Sequence, residues 1–315
     1  MISNNYEKQL LPVMTMASGL TVKLGIHILH GKEEGSRILL MAGEEGDELY
    51  SVELMRHLLE QLEVHRLGGT LTAVPVMNPL AFEWGEPRSR HDGYSLRGCF
   101  PGNASGTATQ RLATKIGELI QQSDAVIVLA SGGPYCGECF TQLGTAEGEK
   151  AKISEQMANM LGLPIRETPV RTGTAVQYAL DLGKPAISVH FGGGMYIEPE
   201  AEAAVKQALY AILYANNLSW PECTRTAAYL QTMEVPSNFG GLFHPEIGPE
   251  LLGKEVPLGT PLGYVQNPTT LEVLEHYTAP YEHTSILGFR SMLSPIHPGT
   301  TLYVLGEELP QHQIN

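Results

Sequence analysis

The chain has 315 residues, of which 43% are hydrophobic and 17% charged, with 34 Gly and 21 Pro. That length suits about two domains, and so apolar a composition supports a large core and excludes a disordered chain. Twenty Lys and Arg stand against 34 Asp and Glu, a net charge of −14 that repels phosphate backbones and anionic lipid surfaces, so no nucleic-acid and no membrane partner is expected.

Along the chain, Thr21 to Leu29 alternates as a strand does. Arg37 to Ala42 is a short apolar run, and Glu48 to Leu62 has helical spacing. Leu71 to Val76 reads as a strand, closed by Asn78-Pro79. A long polar stretch, Ala81 to Gly106, follows, and loops of that length in compact domains are usually functional. Thr109 to Ile120 reads as a helix and Ala125 to Ala130 as a buried strand. Ser154 to Leu161 and Thr174 to Leu182 read as helices, Pro185 to His190 as a strand, and Pro199 to Asn216 as a long Ala-rich helix.

Apolar strands separated by helices predict an α/β domain over 1–220, its mostly parallel or mixed sheet sandwiched by helices. After Trp220-Pro221 the helical pattern stops, and short β-rich pieces alternate with turn signals, so 221–315 is read as a C-terminal all-β domain. No apolar run is long enough to cross a bilayer. The N-terminus carries Lys8 but no apolar stretch or cleavage site, so a cytoplasmic protein is expected, with Cys99, Cys136, Cys139 and Cys223 as reduced thiols.

Ligands on such sheets bind beyond the carboxyl ends of the strands. Five segments lie there or in the long loop: Ala42 to Glu48, Asn78-Pro79, Arg88 to Gly102, Val128 to Gly133 leading to Cys136 and Cys139, and Val189 to Gly194. Their order and spacing resemble the succinylglutamate desuccinylase/aspartoacylase family of zinc-carboxypeptidase-like hydrolases. The resemblance extends into the terminal β region through Gly259 to Val265 and Thr278 to Tyr281. It implies a zinc-carboxypeptidase-like fold and a hydrolase of the N-acyl amino acid deacylase or amidohydrolase type, acting on a small-molecule amide or ester.

The family's G-x-H-G-D-E motif is here Gly43-Glu44-Glu45-Gly46-Asp47-Glu48, with Glu48 at the glutamate ligand and Glu45 at the histidine. The His of its D-L-H-T segment is replaced by Ala130, next to Ser131. Its N-R-x-F-P-G loop reads Arg97 to Gly102, with Gly98 at the arginine, and its general-base Glu is replaced by His190. The resemblance therefore implies one divalent metal, zinc in the family, with Glu45 and Glu48 as its candidate ligands and His190 and Glu48 as candidate catalytic residues. Two carboxylates without imidazole favour harder cations than zinc. Asn78, Arg88, Arg90, Arg97 and Ser131 are the candidate substrate-binding residues, and Cys136 and Cys139 are further candidates, one as a nucleophile with His190 as base. A remodelled pocket, richer in acids, predicts a cationic or zwitterionic ligand. The family also implies a homo-oligomer.

Plainer readings stand beside these. The acids at Glu44 to Glu48 oppose a helix dipole, with Asp47 as N-cap. Cys136-Gly-Glu-Cys139 is structural, His190 is a satisfied core histidine, and the arginines are solvated loop charges. The functional alternative is a catalytically inactive or non-zinc member that binds a small molecule or serves as a partner subunit. Gly248 to Glu255 nearly spells a phosphate-binding loop, but Pro249 sits inside it and Glu255 stands where Ser or Thr must be.

Overall fold

A computed structural model describes residues 5–133, 135–137, 139–144, 148–167, 171–193, 199–215, 218 and 230–308. In chain order the elements begin β1 (Tyr6–Thr15), β2 (Thr21–His30), β3 (Ser36–Ala42), α1 (Leu49–Gln61), β4 (Gly69–Val74), α2 (Pro79–Phe82) and α3 (Ala108–Gln122). Then come β5 (Ala125–Ala130), β6 (Tyr135–Gly137), β7 (Phe140–Leu143), α4 (Glu149–Leu161), β8 (Ile165–Glu167), α5 (Ala175–Asp181), β9 (Ala186–His190) and α6 (Pro199–Tyr214). The rest is β10 (Leu230–Pro236), β11 (Gly241–Pro245), β12 (Glu255–Val256), β13 (Pro261–Gln266), β14 (Val273–Thr278), β15 (Thr284–Arg290), β16 (Ser294–Ile296) and β17 (Thr301–Glu308).

The chain packs as two units: Met1–Ser131, Cys139–Phe191 and Glu198–Ala227 in one, Gly132–Glu138, Gly192–Ile197 and Ala228–Asn315 in the other. The expected boundary at 220/221 lies outside the described residues, as do Gly194, Asn216 and Cys223.

The first unit is built on an eight-stranded mixed sheet of order β1-β2-β4-β3-β5-β9-β7-β8. Its centre, β4-β3-β5-β9, is parallel. Such strands are buried on both faces, which is why β5 is a run of six apolar residues, all buried. Helices α3 and α5 pack Leu112, Ile116 and Val176 against Leu39, Met41, Val126 and Val128. Helix α1 packs on β3 and β5 and against α6, which also packs on α4.

Three local expectations change. α1 is N-capped by Glu48, not Asp47, and Glu48 makes no side-chain cap, because its carboxylate is turned elsewhere. α4 starts at Glu149 behind Gly148, a turn earlier than its apolar pattern shows. β1, β7 and β8 extend the sheet at its edges.

Among the described residues the strand pairs of the second unit are all antiparallel. One sheet has the order β10-β17-β15-β12, with β6 also on β15, and the other β14-β13-β11-β16. Phe243, Phe289, Leu302 and Tyr303 form its core. The glycine-bounded segment dismissed above carries only a 3-10 turn, Pro249–Leu251. Among the described residues no helix is long and apolar enough to cross a membrane.

Candidate functional site

Strands β3, β5 and β9 end side by side, with Ala42 opposite Leu129 and Ala130 opposite His190. β3 runs into the Gly43–Glu48 loop. Gly46 fixes that loop against the chain after α2: a Cβ there would fall 2.2 Å from the Ala81 carbonyl, and its N–H donates to the Glu86 carbonyl at 3.0 Å. Asn78 is fully buried. Its Nδ2 donates to the Glu44 carbonyl at 3.4 Å and its Oδ1 accepts from the Ala81 N–H at 3.1 Å, so it anchors the loop and caps α2. Ser131 is buried too, its Oγ accepting from the Ser51 N–H at 3.3 Å and joining the end of β5 to the first turn of α1. Both residues shape the site from behind.

The loop presents three carboxylates to a single cation. Arg97 Nε donates to Glu44 Oε2 at 3.1 Å and Nη2 to Glu48 Oε1 at 2.8 Å, while Nη1 lies 3.8 Å from Glu45 Oε2. Ser95 Oγ donates to the other Glu45 oxygen at 3.1 Å. Glu44 and Glu48 are buried, Glu45 half-buried, and the Arg97 side chain is 27% exposed. Burial opposes the charge on Arg97, but the three carboxylates outweigh it and hold its pKa up. Arg97 and the Glu45 N–H pull Glu48 down, yet burial, reinforced by Glu44 and Glu45, wins and pushes its carboxyl up to about 8.

Gly98 makes this possible. Its φ of +128° is closed to ordinary side chains, and its N–H donates to the Gly173 carbonyl at 2.9 Å. The position where the family carries arginine is here a turn, and the guanidinium comes from the residue before it.

His190 is held differently. Its Nε2 is 2.9 Å from Ser188 Oγ, and its ring stacks on Phe140 at 4.4 Å and 4°. Arg166 covers Phe140 with its Cζ 3.7 Å from the ring centroid. Burial, then the Arg97 and Arg166 cations, push the imidazole down to about 3, so it is neutral at physiological pH and a weak base.

A cavity of about 330 Å³ opens on Arg97, lined also by Glu45, Arg88, Tyr94, Ser95 and Arg171. Arg88 and Arg171 have no carboxylate partner among the described residues, Arg88 reaching only the Gly93 carbonyl at 3.5 Å. Arg90 points elsewhere: it pairs with Glu86 through both ends of its fork and lies 4.3 Å over Trp84. Asn78, Ser131 and His190 are not among the lining residues. Cys136 is buried in the core of the second unit and Cys139 belongs to the first; neither is in a disulfide. The sequence singled out Glu45, Arg88 and Arg97 of this pocket but not Ser95 or Arg171, which only the tertiary fold brings there.

The residues present do not fit the zinc that the family resemblance implies. Ala130 offers no donor, and one ring nitrogen of His190, Nε2, is taken by Ser188. The carboxylates of Glu45 and Glu48 face a guanidinium whose charge opposes a metal ion placed between them. Among the described residues no group of three or more His, Cys, Asp and Glu is placed to hold a metal ion.

Comparison with known proteins places the chain. The model of the Succinylglutamate desuccinylase/Aspartoacylase catalytic domain matches residues 34–215. The chain belongs to this family. The N-alpha-acetyl-L-2,4-diaminobutyric acid deacetylase of Halomonas elongata is 27% identical to this family member over 296 residues, covering 87% of the chain and 83% of the relative. A succinylglutamate desuccinylase from Silicibacter sp. TM1040 superposes with a TM-score of 0.81 at 20% identity, over 98% of this chain and 96% of that one. The product-bound ectoine utilization protein EutE (DoeB) of Ruegeria pomeroyi does so at 0.78 and 21%, over 96% and 94%. At these identities the structures speak for the fold.

Proposed function

We propose that this family member binds a small zwitterionic amino-acid derivative on the deacylase scaffold and does not carry out zinc-dependent hydrolysis. The observation that carries the reading is the Arg97 guanidinium set among Glu44, Glu45 and Glu48. A catalytic zinc needs three protein ligands and an open position. Here the two motif carboxylates are engaged by a cation of the chain itself. The cavity keeps what recognition requires: Arg88 and Arg171 suit a ligand carboxylate, and Glu45 beside them suits an ammonium.

The test is thermal stabilisation by N-acetylated and free diamino acids, with metal content and amine release measured on the same preparation. Expected are stabilisation, sub-stoichiometric metal and no product, with or without added zinc, manganese or cobalt. Amine release that Glu48→Gln abolishes would sink the reading. A second reading, a deacylase working without metal, is favoured by the relative named as a deacetylase. Arg97 would then polarise the acyl carbonyl, and product would form at a rate indifferent to chelators.

A further inference from the structure

We propose that Asp92 is a positioning residue of the cavity rim: by tying the 87–94 turn to the start of α3, it holds Arg88 where a ligand meets it. For the ligand the inference rests on the binding reading; for the order of the rim it does not.

Residues 87–94 hang between two fixed points. Before them the Glu86 carbonyl accepts from the Gly46 N–H at 3.0 Å, and after them Ser95 Oγ donates to Glu45 at 3.1 Å. Between these points the chain closes on itself. The Ser89 N–H donates to the Tyr94 carbonyl at 3.0 Å and the Gly93 N–H to the Ser89 carbonyl at 2.8 Å, with Gly93 at a φ of +74°. Pro87, Arg88 and Tyr94 of this turn line the cavity, and the Arg88 guanidinium rests on the Gly93 carbonyl at 3.5 Å. Asp92 is not among the lining residues. Its carboxylate is directed at α3: Oδ2 accepts from the Thr109 N–H at 2.7 Å, and Oδ1 from the Thr109 hydroxyl at 2.8 Å and the Tyr94 N–H at 3.2 Å. Among the described residues, every hydrogen bond joining 87–94 to a residue outside 86–95 runs through this carboxylate. Thr109 is fully buried, and α3 beds Leu112, Ala113 and Ile116 in the core, so the core fixes the far end of the tie. Burial opposes the charge on Asp92, but hydrogen bonds from Thr109, Thr107 and Tyr94 outweigh it and hold its carboxyl below the usual range. The anion that a helix N-terminus favours is therefore present at neutral pH, and its hydrogen bonds are of the strong, charge-assisted kind. A ligand that engages an exposed arginine must order its side chain and, on a loose turn, the backbone too. A turn fixed beforehand removes the second cost.

The experiment follows hydrogen exchange of residues 88–95 by mass spectrometry in wild type, Asp92→Ala and Asp92→Asn. Calorimetry gives the Kd of N-acetylornithine for wild type and for Asp92→Ala, alone and combined with Arg88→Ala or Arg171→Ala. Asp92→Ala should speed exchange over 88–95 about 10-fold or more, while the peptide from Leu112 to Ile120 keeps its protection. It should raise Kd about 10-fold, an effect that falls to about 2-fold or less in the Arg88→Ala background and persists in the Arg171→Ala background. A residue that merely stabilised the fold would loosen α3 as well and add its cost in both backgrounds. The proposal is overturned if exchange over 88–95 is the same in Asp92→Ala as in wild type, or if the loss of affinity is as large without Arg88 as with it. Failure of wild type to bind N-acetylornithine counts against the binding reading alone, and exchange then decides on Asp92. Should Asp92→Ala not fold, Asp92→Asn, which keeps the shape and gives up the charge, decides by the same readouts: faster exchange supports the tie, and unchanged exchange overturns it.

Discussion

Glu48 and His190 titrate in opposite senses, and each makes its own contribution to the pH dependence of stability. Glu48 is raised from 4.5 to about 8. Between those values the folded chain keeps a proton that the unfolded chain has released, so stability falls as pH rises. His190 is lowered from 6.5 to about 3. Between those values the unfolded chain holds a proton that the folded chain lacks, so stability rises with pH. Each slope is about 1.4 kcal/mol per pH unit. From pH 4.5 to 6.5 the two cancel. Above 6.5 Glu48 alone of the two acts, and its contribution to stability falls by about 2 kcal/mol on the way to pH 8. Below 4.5 His190 alone of the two acts. Glu48→Gln keeps the shape and removes the proton. Its stability relative to wild type should therefore grow from pH 5 to pH 8, by up to about 4 kcal/mol and, with local relaxation, by about 2 or more. Urea unfolding of both proteins at the two pH values measures the difference, and groups shared by both cancel. A relative stability that is the same at pH 5 and pH 8 would refute the raised pKa of the buried Glu48.

Other substitutions separate shaping from recognition. Asn78→Ala leaves the Ala81 N–H and the Glu44 carbonyl without their partner and should cost about 1–3 kcal/mol in urea unfolding. Gly98→Ala forces a side chain to a φ of +128° and should cost roughly 1–3 kcal/mol while weakening ligand binding, read by chemical and thermal denaturation with and without ligand. Arg171→Ala should leave stability almost unchanged and raise a ligand's Kd about 10-fold or more in calorimetry, whereas Arg90→Ala, whose charge is spent on Glu86, should leave Kd unmoved. In proton NMR the His190 ring should show no titration between pH 5 and 8, and a midpoint near 6.5 would contradict its burial against Phe140.

What could be read from the chain tracks how local the physics is. β3, β5 and β9 were legible because strands buried on both faces must be apolar throughout. β1 was not, since Glu7, Lys8 and Gln9 interrupt it on an exposed edge. β7 was missed because Thr141 and Gln142 interrupt its apolar run, although Thr141 is fully buried. Motif order placed Glu48 correctly at the start of α1. It could not show that Arg97, nearly fifty residues on, turns back to meet Glu48, or that Arg171 joins the same cavity. Asn78 and Ser131 carry polar groups at strand ends, where ligands are met, but those groups are consumed by a helix cap and a backbone N–H. Phe140, which stacks on His190, lies on a strand with no marker in the sequence.

The placement of β6 bears on how the molecule can be made. The chain leaves the first unit at Gly132, returns at Cys139, and leaves and returns again before the last long segment. β6 pairs with β15, and Cys136 is fully buried among residues such as Phe243 and Phe289. During synthesis that strand emerges well before its partner and has to wait with its thiol uncovered until β15 is complete. A fragment cut near residue 220 would carry β6 as an unpaired edge, and the remainder would lack one strand of its sheet. The two units are therefore not exchangeable modules, and a fragment meant to isolate either must carry or replace Tyr135–Gly137.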